Sequence, residues 1–214
     1  SISIPQRKKT LIYMDCRHIC DPKAHNRIMI NIVMRNRCKG HGIDAITVRG
    51  LPGDNDRALV NVGGRVFSAS MGRSGRALLK REGDGATPIA RMSLLYGFYR
   101  ADRVPRPRTR LVMKPITASL GWCDDSGNAS YNRPVTLPFN GGCEQMMRDD
   151  NLYDICLVMD WNVRERRRNM GSAIFFHLKA DPEQPTEGCI AIGQRDMVWM
   201  LERVHRGTAV IVTP

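Results

Sequence analysis

No run of apolar residues in this 214-residue chain approaches the length of a membrane span; the longest candidate, residues 28–34, is far too short. That stretch also lacks the small-residue cleavage site that marks a secretory signal. Internal repeats and low-complexity segments are missing, and helical periodicity is scarce. The glycines at Gly72 and Gly75 are not followed by a Gly-Lys-Ser/Thr pattern, which excludes a phosphate-binding loop. What remains is a soluble globular composition, 42% apolar with mean hydropathy −0.34, sufficient for one good core.

The formal charge of +12 would point to nucleic acid if it were spread evenly. It is not. Residues 1–42 hold nine Lys or Arg against Asp15 and Asp21, leaving only a modest excess for residues 43–214. Two local basic runs remain, Arg103 to Arg110 and Arg164 to Arg168, and both read first as solvated loops. The second lies just upstream of an apolar run ending at His177, which makes it a candidate rim for a cleft.

Seven cysteines make an odd count, so at least one is expected to be free in an oxidising compartment. Cys189 is the obvious free one, and Cys156 reads as a small buried hydrophobe. Pairing among the rest is not legible. Cys16, His18, Cys20, His25, Cys38 and His41 supply zinc-ligand types, but their spacing fits no standard finger and no metal is assigned. The expected organisation is a basic N-terminal extension, 1–42, outside the fold, followed by one domain, 43–214.

That domain reads as mostly β. Gly63-Gly64 between two short β-rich runs is a hairpin signal, because such a turn needs positive φ. Ser93 to Tyr99 and the runs around Val158 and Phe175 read as further strands. The residues 195–205 form the best helix, with Met197, Met200, Leu201 and Val204 on one face, and Cys143 to Arg148 reads as one or two helical turns.

The chemistry gathers near the end. Gly171-Ser172-Ala173-Ile174-Phe175-Phe176-His177-Leu178 reads as a buried strand. Asp181-Pro182 and Gln184-Pro185 force an irregular loop, since residues before proline avoid helix. The chain then returns through Thr186-Glu187-Gly188-Cys189 into a second apolar stretch. A glycine permits a sharp turn before the cysteine, and a histidine can take the thiol proton to leave a thiolate beside an imidazolium. A buried thiol and a satisfied core histidine are the competing readings of the same residues.

Thr186-x-Gly188-Cys189 after a strand-borne histidine resembles the catalytic signature of the L,D-transpeptidases, the YkuD-type cysteine enzymes of bacterial cell walls. Thr87-Pro88 with its preceding Gly83-Asp84-Gly85, Gly121-Trp122-Cys123-Asp124-Asp125 and Tyr131-Asn132-Arg133-Pro134 extend the resemblance toward a proteobacterial branch, and it covers roughly residues 43–214. Glu187 stands where most members carry histidine, Ala191 where many carry Arg or Asn, and Ala90 where a glycine is usual.

The resemblance implies a mostly-β YkuD-like domain of packed or mixed sheets with a helix in its C-terminal region. It implies that Cys189 is the nucleophile and His177 the general base and acid, with the backbone N–H groups of Gly188 and Cys189 as oxyanion donors. The backbone carbonyl near Leu178 or another acceptor is expected to hold the second ring nitrogen, and the sequence does not say which. Thr186, Glu187, Trp122 and Asn132 are expected on the substrate side. The implied reaction is acyl transfer from a peptidoglycan stem peptide, with release of D-alanine, to an amine on another stem or an envelope protein. It needs no cofactor or metal, and neither nucleic acid nor a membrane span takes part. The periplasm or cell envelope is the expected location, although no signal peptide is visible in this sequence. Hydrolysis of the same bonds by an L,D-carboxypeptidase or endopeptidase is the alternative enzyme, and a basic module for anionic polymer or nucleic acid is the alternative from another class.

Overall fold

Fourteen strands and one short helix make up the described part of the chain, residues 42–180 and 182–214 of a computed structural model. The basic extension and its Cys/His set lie outside the described residues. The main strands are β1 (Ala45–Gly50), β2 (Arg57–Val62), β3 (Arg65–Ser70), β6 (Arg91–Tyr99), β7 (Met113–Pro115), β11 (Ile155–Met159), β12 (Phe175–Leu178), β13 (Ile190–Ile192) and β14 (Ala209–Val212). They form one sheet in the order β11-β12-β13-β3-β2-β1-β14-β6-β7. A further pairing of β11 with β6 closes that sheet on itself, a barrel-like ring that removes most free edges. The sheet is mixed: β1–β14, β12–β13 and β6–β7 run parallel and the other pairs antiparallel.

Local signals fix several joints. Gly63 and Gly64 take φ of 59° and 92°, and the Asn61 side chain accepts the Gly64 N–H at 2.9 Å, which closes the β2–β3 hairpin. β4 (Arg76–Ala77) and β5 (Thr87–Pro88) form a small parallel pair beside the ring. A separate antiparallel sheet is built from β8 (Leu120–Cys123), β9 (Arg133–Thr136) and β10 (Cys143–Gln145) in the order β10-β8-β9.

The stretch expected to turn helically at Cys143 to Arg148 is instead β10 followed by a loop. A run that short cannot repay helix nucleation, whereas pairing with β8 satisfies its backbone at once. The expected helix at 195–205 is α1, Gln194–Leu201. It stops one turn early, yet Val204 still reaches the core behind Met197, Met200 and Leu201.

Two apolar clusters organise the domain, and period-2 alternation on β11, β12 and β13 separates them. Phe176, Leu178, Leu157, Ile190 and Ile192 belong to the larger cluster, which includes α1. Phe175, Cys156, Val158 and Cys189 belong to the second, with Trp122, Met146 and Tyr153. Because both faces are covered, every residue of these three strands is buried, which is why the sequence shows continuous apolar runs here and not alternation. Replacing Phe176 by Ala is expected to cost about 3–5 kcal/mol of stability through lost burial and a cavity, read as a lower urea midpoint. His177, on the opposite face, keeps its hydrogen bond in that variant.

Candidate active site

β12 and β13 lie side by side and parallel, with Phe176 opposite Ile190 and His177 opposite Ala191. One step earlier, Cys189 falls beside Phe175, whose N–H donates to Sγ at 3.3 Å. Parallel partners share a face, so Cys189, Ala191 and His177 all look away from the larger cluster. All three line one cavity of about 730 Å3. The proline-stiffened loop between the strands contributes Pro182, Gln184 and Pro185 to the same wall.

The turn into Cys189 is held from within. Thr186 Oγ1 donates to the Cys189 carbonyl at 2.7 Å and accepts the Gly188 N–H at 3.2 Å. Thr186 is itself anchored through its N–H to Met71 O and its carbonyl to Arg73 N. Gly188 has φ 132°, and a Cβ there would meet the Ala86 carbonyl oxygen at 2.8 Å, so the position admits only glycine without displacement. The Gly188 amide, expected as an oxyanion donor, is therefore committed to the Thr186 hydroxyl. The Cys189 amide is the one of the two with no acceptor among the described residues.

His177 is buried, and its Nδ1 lies 2.7 Å from the Leu178 carbonyl, the type of partner expected from the sequence. That contact requires the proton on Nδ1 and leaves Nε2 as the basic nitrogen. Tyr153 packs its ring edge-on to His177 at 5.4 Å and to Phe175 at 5.8 Å. Its hydroxyl donates to Glu144 at 2.6 Å, and Arg148 lies over its ring while pairing with Asp150 and reaching Glu144 at 3.4 Å. This Tyr153–Glu144–Arg148 group lines the cavity and was not found from sequence, because residues 143–148 read as helix.

Burial decides the protonation states. It pushes the Cys189 thiol up to about 12, against smaller lowering effects of the Phe175 N–H, Lys80 and Arg148. It also pulls His177 down to about 4, the Leu178 carbonyl opposing it. The thiol donates to the Ala173 carbonyl at 3.1 Å, as a neutral S–H does. No hydrogen bond joins Cys189 to His177 directly. Both shifts, upward for the thiol and downward for the imidazole, oppose the thiolate–imidazolium pair expected from sequence. Burial raises Glu144 as well, opposed by the Tyr153 hydroxyl and Arg148.

Trp122 and Asn132 stand behind the wall and not on it. Both are only 1% exposed and neither lines the cavity. The Asn132 Oδ1 accepts from Trp122 Nε1 and from the Ala173 N–H, each at 3.0 Å, and its Nδ2 donates to Trp161 O. Two converging donors dictate that amide orientation. Ala173, so held, presents its carbonyl to Cys189 while sitting at φ 49°. Glu187 lies on the cavity rim in an exposed ion pair with Arg73 at 2.9 Å. The basic run at 164–168 does not line this cavity; Glu165 and Arg167 border a separate hollow with Trp161. Cys156 is fully buried, opposite His177 across β11–β12. Among the described residues no helix is long and apolar enough to cross a membrane.

Comparison with known families matches residues 54–212 to the YkuD model, described as the L,D-transpeptidase catalytic domain. Among solved structures, L,D-transpeptidase 1 of Mycobacterium tuberculosis aligns at 14% identity with a TM-score of 0.35, over 80% of this chain and 63% of that one. L,D-transpeptidase 3 of the same organism, in complex with a faropenem-derived adduct, aligns at 15% identity with a TM-score of 0.38, over 79% and 60%. This chain therefore spans less than two thirds of either structure. A comparison with curated proteins returned no match.

The His177 environment sets an acid limb. Its folded pKa lies below the unfolded value near 6.5, so the unfolded state binds the extra proton and stability falls as pH drops from about 6.5 toward 4. Over that window wild type is expected to lose about 3 kcal/mol more than His177→Asn, measured by urea unfolding at each pH. Asn132→Ala strands two buried donors and leaves a left-handed backbone without its side-chain support. It is expected to cost about 2–4 kcal/mol, read in the same denaturation assay.

Proposed function

The chain belongs to the YkuD family of L,D-transpeptidase catalytic domains, and from that premise we propose that it is a cysteine acyltransferase acting on peptidoglycan stem peptides outside the cytoplasm. One observation carries the reading: Cys189 and His177 open on the same cavity from adjacent parallel strands, the histidine with its Nδ1 bound to a carbonyl and its Nε2 free.

In the proposed cycle Cys189 Sγ attacks the carbonyl carbon between the third and fourth residues of a tetrapeptide stem. The thiol proton passes to His177 Nε2 as the C–S bond forms, since neither group is charged at rest. The Cys189 amide faces the developing oxyanion; a donor in that role is typically worth about 3 kcal/mol. Collapse breaks the C–N bond, and the imidazolium returns the proton to the departing D-alanine amine. An acceptor amine then attacks the thioester, its proton goes to His177, and Cys189 leaves as a thiol.

The cavity lining favours an amine over water in that second step. Glu82, Asp124, Glu144, Asp150 and Glu187 line it against a single cation, Arg148. A cleft of that sign concentrates a cationic substrate group in a domain that is otherwise basic. Trp122 and Asn132 act in this reading as positioning residues, holding Ala173 against the nucleophile.

Mass spectrometry of tetrapeptide muropeptides incubated with wild-type protein is expected to show loss of D-alanine and a cross-linked dimer. Cys189→Ala is expected to leave both at background. A trimmed monomer without dimer would assign hydrolysis instead, and no turnover or acyl adduct from folded protein would sink the cysteine mechanism.

A further inference from the structure

Cys143 and Cys123 face each other across the antiparallel β10–β8 pair. Flanking hydrogen bonds fix which kind of pair this is. The Asp124 N–H donates to Gly142 O at 3.3 Å, and the Met146 N–H donates to Leu120 O at 3.0 Å. Hydrogen-bonded and non-hydrogen-bonded pairs alternate along such a ladder. The pairs Asp124/Gly142, Trp122/Glu144 and Leu120/Met146 are therefore the bonded ones, and two bonds at opposite ends agree on it. Cys123/Cys143 is a non-hydrogen-bonded pair, where opposed Cα atoms approach to about 4.5 Å, within the span a disulfide bridges. Both side chains leave the same face. Both are free thiols in this structure, Cys123 fully buried and Cys143 partly exposed.

We propose that Cys123 and Cys143 are a disulfide site, closed by thiol–disulfide exchange with a small-molecule or protein disulfide. The accessible Cys143 thiolate attacks the oxidant's disulfide and expels one thiolate. Cys123 then attacks the mixed disulfide and expels the second. Two protein thiols lose two protons and two electrons, and one external disulfide is reduced to two thiols. The opposite face of the same two strands carries Trp122, which holds Asn132, and Glu144, which lines the cavity. The bond would lock β8 to β10 in the register that places those two residues, and it spends neither Cys156 nor Cys189.

The sequence provides a clean readout. Trypsin releases residues 111–148 as one peptide, because Lys114 and Arg133 are each followed by proline, and that peptide contains no cysteine besides Cys123 and Cys143. The full chain is equilibrated with oxidised glutathione, denatured, alkylated without reduction and digested. The expected peptide is unalkylated and lighter by two hydrogens, and it takes two alkyl groups only after dithiothreitol. The melting temperature of the oxidised protein is expected to fall by about 5–10 °C on reduction, and Cys143→Ser is expected to abolish that difference. Two alkyl groups on the peptide from oxidised protein, or either cysteine joined to a different one, would overturn the proposal. The result is independent of muropeptide turnover, so it stands or falls apart from the acyltransferase reading.

Discussion

The parallel pairing of β12 with β13 is the constraint from which the rest of the site follows. Setting Phe176 against Ile190 decides that Phe175, His177, Cys189 and Ala191 share the face turned from the larger cluster. A slip of one residue would send His177 into the barrel-like interior and bring Phe176 to the cavity, since side chains alternate strictly. The register is protected because both faces are packed: Phe176, Leu178, Ile190 and Ile192 on one side, Phe175 and Cys189 with Trp122 and Tyr153 on the other. Cys189, embedded in an apolar cluster, is thus also one of the contacts that fixes where it stands.

The connection between the strands has to be short and stiff for this to hold. Pro182 and Pro185 limit the loop, and Thr186 stitches its end to Met71 and Arg73 through backbone bonds and to Gly188 and Cys189 through its hydroxyl. Behind the cysteine, two residues in the left-handed region, Asn132 at φ 56° and Ala173 at φ 49°, are tied to each other. Non-glycine residues adopt that conformation only where the surroundings over-determine it. Here the surroundings are three hydrogen bonds to one buried amide, and the carbonyl they aim is the one that accepts the hydrogen bond of the Cys189 thiol.

How much of this could be read from residues alone depended on how local the signal was. That Cys189 and His177 come together on adjoining strands was legible because the two strands and the loop between them are written within a few residues of one another, whereas the choice of Leu178 O as the histidine's partner was not. The Gly63-Gly64 hairpin was legible for the same reason. Trp122 and Asn132 were expected on the substrate side, but sequence could not say that they stand one layer behind the cavity wall. That depends on which face of β8 meets Phe175. Glu144 was lost because a six-residue apolar-polar mixture has no decisive period, and only pairing with β8 makes Cys143–Gln145 a strand; Arg148 and Tyr153 follow it in loop, where sequence carries no signal of what they face. That the Gly188 amide meets the Thr186 hydroxyl was not legible, because the acceptor is a side-chain hydroxyl whose rotamer no sequence pattern reveals.

The protonation states carry the deepest consequence for chemistry. Burial disfavours charge on both groups: it pushes the Cys189 thiol up to about 12 and pulls His177 down to about 4, so the same desolvation opposes a resting thiolate–imidazolium pair. In the proposed cycle, bond formation to carbon and proton transfer to Nε2 proceed together, so that no full charge builds on sulfur in an apolar cluster. The same burial raises the thiol above the range in which a cysteine is a thiolate at neutral pH. Under that proposal the substrate carbonyl itself completes the path from Sγ to Nε2, and burial of the pair contributes to selectivity beside the contacts in the cleft.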